Sequence, residues 1–286
     1  MKYTTKFFLV ALMTVITVSM SARPMSRSFA IVVDKNTYEN CRSSIDNYSQ
    51  AVKLEGLNTF IIIDRWDCPD SIKAELKRLY DNNNLEGAVM IGDVPVPMIR
   101  NAQHLTTAFK MDQKRAWNES SIPSDRFYDD FDLKFEYLKR DTTNKLYFYY
   151  NLKPDGPQHI TCDIYSARIK APLVQGKTKY QLINEYLEKV VREKNTQRSL
   201  GAITYFAGHG YNSDCMVARA DERLSLTEQF PYLLKADGKL NYIDYTYDNY
   251  VKYRLMAELA REEIGLAILH HHGSEDRQYF NGSPIT

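Results

Sequence analysis

Gly87-Ala-Val-Met-Ile91 is an unbroken apolar run that stops at a turn, Gly92-Asp93-Val94-Pro95. A run with no polar residue at alternate positions predicts a strand covered on both faces, as in parallel sheets. Two earlier runs repeat it. Thr59-Phe-Ile-Ile-Ile63 is continuous and β-branched, and Phe29-Ala-Ile-Val-Val33 reads the same way. Helical patterns lie between them. Asn40 to Leu54 places Ile45, Tyr48 and Val52 near helical spacing. Pro69 to Tyr80 carries Pro69 in its first turn, with Asp67 or Cys68 near its start. The order βαβαβ predicts a parallel sheet with helices on both faces.

Farther along, residues 101–160 are polar, aromatic and turn-rich, and read as an excursion holding a short hairpin. Ile160 to Ile169 returns to strand, and Lys179 to Lys194 is an amphipathic helix that ends the first unit or bridges to the second. A second α/β unit follows. Leu200 to Phe206 is a strand, Leu226 to Leu234 a short helix, Tyr250 to Glu263 a helix, and Leu266 to Leu269 a strand. The expected fold class is therefore α/β, with two subdomains, 23–195 and 196–286, built on mainly parallel sheets.

Composition narrows the function classes. The chain has 286 residues, 44% of them hydrophobic, enough for a substantial core. Its 37 basic and 36 acidic residues leave a formal charge of +1, so no basic field marks it for nucleic acid. The 21 tyrosines suit ordinary half-buried sheet positions. At the N-terminus, Lys2 and Lys6 precede an apolar core from Phe7 to Met20 and small residues up to Ala22. This reads as a secretory signal peptide over residues 1–22, too short for a comfortable membrane span. A secreted, periplasmic or cell-surface protein is expected, with no membrane span after signal removal. Export would place Cys41, Cys68, Cys162 and Cys215 where disulfides can form, but spacing does not choose a pairing.

The chemistry-bearing stretch is His270-His-His272-Gly273-Ser274-Glu275-Asp276, directly after the last apolar run. A strand that ends in a histidine and then glycine presents a base at the sheet's carboxyl edge. In a strand, His270 and His272 point to one face and His271 to the other. His209-Gly210 also ends a strand, but Cys215 lies too close in sequence to reach the tip of an adjacent parallel strand. His270 and His272 with Glu275 or Asp276 are zinc-ligand types at a spacing that fits no dedicated motif. Asp129, Asp130 and Asp132 are calcium-ligand types, but the glycine and distant glutamate of an EF-hand are missing, and a solvated acidic turn is expected. No metal or cofactor is predicted.

Four segments together resemble the gingipain-type (C25-like) cysteine peptidases of the caspase fold, found in Bacteroidetes-type bacteria. Gly87 to Pro95 looks like that family's strand and GD-x-x-P turn. Pro123-Ser124-Asp125-Arg-Phe127-Tyr128-Asp129-Asp130-Phe-Asp132 looks like its P-S-D-x-x-Y-x-D-x-D segment. Asp163 to Arg168, followed by the helix around Tyr186, resembles its V-G-R strand and helix, and His272-Gly273-Ser274-Glu275 resembles its G-H-G-S-E turn. The resemblance spans roughly residues 29–280. It implies a caspase-like αβα sandwich of two side-by-side subdomains and thiol-protease (hydrolase) activity on a protein or peptide substrate. His272 is then the catalytic base, and a backbone N–H near Gly273 helps hold the oxyanion. Two positions depart from the pattern. His271 stands where the family has glycine, and none of the four cysteines follows the histidine strand. The expectation is an exported peptidase domain that stops before its nucleophilic cysteine. The alternative is a non-catalytic secreted binding or assembly protein that keeps the fold.

Overall fold

The computed structural model describes residues 26–100, 112–196, 200–207, 234–244, 250–273, 278–280 and 283–285. The signal-peptide reading at 1–22 and all but Leu234 of the helix reading at 226–234 lie outside these residues. The chain divides into two compact units between Asn195 and Thr196. Both are mixed α/β, and the sheets are mostly parallel.

In the first unit, β1 (Ser28–Asp34), α1 (Lys35–Leu54), β2 (Asn58–Asp64), α2 (Pro69–Asn83) and β3 (Leu85–Ile91) follow in order. The sheet runs β2-β1-β3-β8, where β8 is Tyr165–Ile169, and every pairing is parallel. Strand alternation divides β1 between two cores. Ala30 and Val32 pack with Ile72, Leu76 and Leu79 of α2. Phe29, Ile31 and Val33 pack with Ile45, Tyr48 and Val52 of α1 and with Ile183 and Leu187 of α4 (Lys179–Thr196). Each such buried aliphatic side chain contributes about 1.5–3 kcal/mol.

The chain corrects several sequence expectations. β2 is not buried on both faces: it is an edge strand, and Ile63 is 41% exposed. The reason is topological, because β3 returns to the far side of β1 and leaves β2 outside. α1 begins at Lys35, earlier than the Asn40 read from periodicity. Asp34 caps it, its Oδ1 accepting the Thr37 amide at 3.0 Å, before the apolar stripe begins. α2 runs to Asn83 and stops where Asn84 turns left-handed, at φ 52°.

The excursion contains the expected hairpin, β6 (Phe135–Arg140) against β7 (Tyr147–Leu152), but as part of a four-stranded sheet. β4 (Val96–Ile99) pairs parallel with β7, and β5 (Ile122–Pro123) closes the order β5-β4-β7-β6. Pro95 and Pro97 hid β4 in the sequence. Pro97 sits inside it, and its carbonyl accepts the Ser124 amide at 3.0 Å. α3 (Arg126–Asp129) is a single turn after β5.

In the second unit, β9 (Leu200–Ala207) lies between β10 (Leu234–Asp244) and β11 (Ile264–His270), all parallel. Leu234, read as a helix end, opens β10 instead. α5 (Val251–Leu259) is shorter than the Tyr250–Glu263 expected, and packs Val251 and Leu255 on Phe206 and Ile243. Beyond β11, β12 (His272–Gly273), β13 (Gln278–Phe280) and β14 (Ser283–Ile285) form a small antiparallel sheet. Among the described residues, no helix is long and apolar enough to cross a membrane.

Candidate active site

β9 is buried through Ala202, Ile203, Tyr205 and Phe206. β11 is equally apolar in sequence yet pairs only with β9 among the described residues, and Leu266 and Leu269 are both 37% exposed. It ends at His270, whose ring lies 5.4 Å from that of Tyr205 on the sheet face. The strand stops there, and the expected alternation of His270 and His272 rests on a side chain outside the described residues. His271 lies between two strands, and His272 and Gly273 re-enter as β12, opposite Tyr279 and Gln278. Chain continuity from β11 puts the His272 backbone two residues past the carboxyl end of the parallel sheet, where open α/β sheets bind ligands. The His272 side chain lies outside the described residues, as do Ser274, Glu275, Asp276, His209 and Cys215.

The other three resemblance motifs meet in the first unit, around Arg168. Its Nε and Nη2 grip Asp125 at 3.1 and 2.8 Å. Nη1 donates to the Val94 carbonyl at 2.8 Å and Nη2 to that of Pro95 at 3.0 Å. The Tyr128 hydroxyl donates to the same Pro95 carbonyl at 2.9 Å. One guanidinium thereby ties the turn after β3, the segment before α3 and the strand β8 together. Gly92 completes the joint. At φ +84° its amide donates to Ile169, while Asp34 Oδ2 accepts the Asp93 amide at 2.7 Å. Asp93 pairs with Lys179 at the start of α4.

The acidic segment is not a solvated turn. Asp129 and Asp130 are 0% and 1% exposed, and only Asp132 faces solvent. Asp130 accepts the amides of Leu133 at 3.2 Å and Thr161 at 2.6 Å, and Asp163 accepts that of Phe131 at 2.7 Å. Lys73 seals the loop, donating to the carbonyls of Asp130 at 2.8 Å and Leu133 at 3.0 Å. Burial pushes its ammonium down to about 8 against the surrounding aspartates. Asp129 accepts the Ser166 hydroxyl at 2.5 Å and pairs with Arg126. No three His, Cys, Asp or Glu side chains gather as a metal site among the described residues.

Burial raises the Asp129 carboxyl to about 6, although Ser166 and Arg126 pull it down. A raised carboxyl favours folding while protonated. That contribution is complete below the ordinary value of 3.8 and is lost as pH rises through about 6. Asp129→Asn keeps an acceptor for Ser166 and removes the titration. Its urea midpoint, minus that of the parent, is therefore expected to grow between about pH 4 and pH 6.5 and then level off. A difference independent of pH would contradict this assignment.

Three thiols are described, and all are free. Cys41 is buried inside α1, donates to the Tyr180 carbonyl at 3.6 Å, and is pushed up to about 11 by burial. Cys68 occupies the N-cap position of α2. Cys162 precedes β8 and does not begin it. Although Arg126 Nη1 is 2.6 Å from its sulfur, burial and Asp129 raise its pKa. Nucleophilic thiols need the opposite shift.

Comparison of the chain with family models, curated proteins and solved structures finds no match. Sequence reading located the motif residues but missed the role of Lys73. Its only local trace is a lysine at a half-buried position of α2, and its partners lie 57 and 60 residues away.

Proposed function

We propose that the chain carries the histidine-bearing part of an exported, gingipain-like cysteine endopeptidase with a caspase-like arrangement. Its nucleophilic thiol would be supplied by a residue encoded after Thr286. The observation that carries this reading is β11: an apolar strand with one side unpaired among the described residues, leading directly to His272-Gly273. A further parallel strand laid on that free side would end beside the histidine. The raised thiols of Cys41 and Cys162 fit a nucleophile located elsewhere.

In this reading the thiol gives its proton to His272 as sulfur attacks the scissile carbonyl. The carbonyl oxygen becomes an oxyanion held by main-chain N–H groups near Gly273. Collapse breaks the C–N bond, and His272 returns the proton to the departing amine, leaving a thioester. Water, deprotonated by His272, then releases the acid and restores the thiol.

The test is hydrolysis of fluorogenic peptides under reducing conditions. Residues 23–286 alone are expected to be inert. The protein including residues encoded past Thr286 is expected to be active, losing about 10²–10⁴-fold with His272→Ala and nothing with His209→Ala. Activity in 23–286 that survives His272→Ala would overturn the assignment. Inactivity of both proteins would favour a binding or assembly module on the same fold.

A further inference from the structure

β8 is the second edge of the first unit's parallel sheet. The Ile169 carbonyl accepts the Gly92 amide at 2.9 Å, so Ile169, Ala167 and Tyr165 turn their main-chain groups toward β3. The main-chain groups of Ser166 and Arg168 must then face outward, since successive residues of a strand alternate direction. Exposed edges of this kind are ordinarily blocked by proline, a bulge or a guarding charge. The strand from Tyr165 to Ile169 has neither proline nor bulge, and the Arg168 charge is held by Asp125.

Two grooves open beside this edge, on the side covered by α4. One, of about 290 Å³, lies over Ala167 between Tyr165, Tyr186 and Val190. The other, of about 380 Å³, lies at the carboxyl end of β8 between Ile169, Pro172, Leu182 and Lys170. Tyr165 and Tyr186 are exposed large apolar side chains. Arg168 and Lys194 also reach the grooves, but they are paired with Asp125 and Glu55. Lys170 has no ion-pair partner among the described residues, so the far groove carries one unmatched positive charge.

We propose that the β8 edge is a docking site for an extended, acidic-ended peptide segment of a partner protein, added as a fifth strand. The open main chain calls for an extended backbone, and the two grooves take side chains at alternate positions, about 6.6 Å apart along a strand. Lys170 selects a carboxylate at the end lying over the second groove. The proposal stands on the first unit alone and does not depend on peptidase activity in the second.

The probe is the hexapeptide acetyl-Thr-Val-Thr-Val-Thr-Glu, whose two valines and glutamate share one face, titrated into the whole chain. Hydrogen exchange is read at the Ser166 and Arg168 amides. Binding is expected to slow exchange at both. N-methylation along one edge of the peptide should abolish binding, while methylation along the other should leave it intact. Ala167→Tyr, which fills the first groove from an exposed position, should weaken binding at least about tenfold, by removing one buried apolar side chain. Lys170→Glu should weaken it about two- to fivefold, as expected for a surface charge pair. No binding at millimolar peptide, or binding indifferent to methylation on both edges, would overturn the proposal. So would a dimer of this chain, seen by sedimentation, that Ala167→Tyr dissolves, since the occupant would then be a second copy.

Discussion

Arg168→Met is expected to destabilise the first unit by about 3 kcal/mol, the low end for breaking a buried ion pair from one side, because both side chains are part-buried. The change leaves Asp125 without its bidentate partner and strips donors from the Val94 and Pro95 carbonyls. Both tryptophans, Trp66 and Trp117, lie in this unit. Urea unfolding followed by tryptophan fluorescence therefore reports on it directly. Removing the charge on both sides, with Arg168→Met and Asp125→Leu together, should recover part of the loss, because no unpaired carboxylate remains. A single variant within about 1 kcal/mol of the parent would show that the guanidinium is an ordinary surface pair.

Gly92→Ala should cost about 2–4 kcal/mol, combining backbone strain at positive φ with overpacking. A Cβ at Gly92 would lie 2.3 Å from Thr37 Oγ1 and 2.4 Å from Asp34 Oδ2, inside the cap of α1. Gly56 supplies the control. Its φ is +89°, but nothing lies within 4 Å of its Cβ position. Gly56→Ala should therefore show the conformational cost alone, on the order of 1 kcal/mol. Equal losses at the two positions would mean that the contacts with Asp34 and Thr37 contribute nothing.

The parallel sheets were legible because their signal is local: each apolar run that became β1, β2, β3, β9 or β11 can be read from consecutive residues. The strands that escaped notice have misleading local chemistry. β4 contains Pro97, and β10 carries Lys235-Ala-Asp-Gly238 between Leu234 and Lys239, where its register with β9 shifts. Asp129 and Asp130 looked like surface acids for the same reason. Their burial depends on Ser166 and on the Thr161 amide, 37 and 31 residues away. Arg168 shows the limit for function. Its motif was visible in the sequence, yet contacts with Asp125, Val94 and Pro95 make it a structural tie within the first unit. Of the four resemblance motifs, His272-Gly273 is the one on which the proposed catalysis rests.

The peptidase account is tested most directly by covalent capture. The protein, including the residues encoded past Thr286, is treated with a peptidyl chloromethyl ketone, and the labelled residue is identified by mass spectrometry. The account predicts one labelled cysteine, located after Thr286, with labelling lost in His272→Ala. A label on Cys41, Cys68, Cys162 or Cys215 that persists in His272→Ala, or a stop codon directly after Thr286, would contradict it.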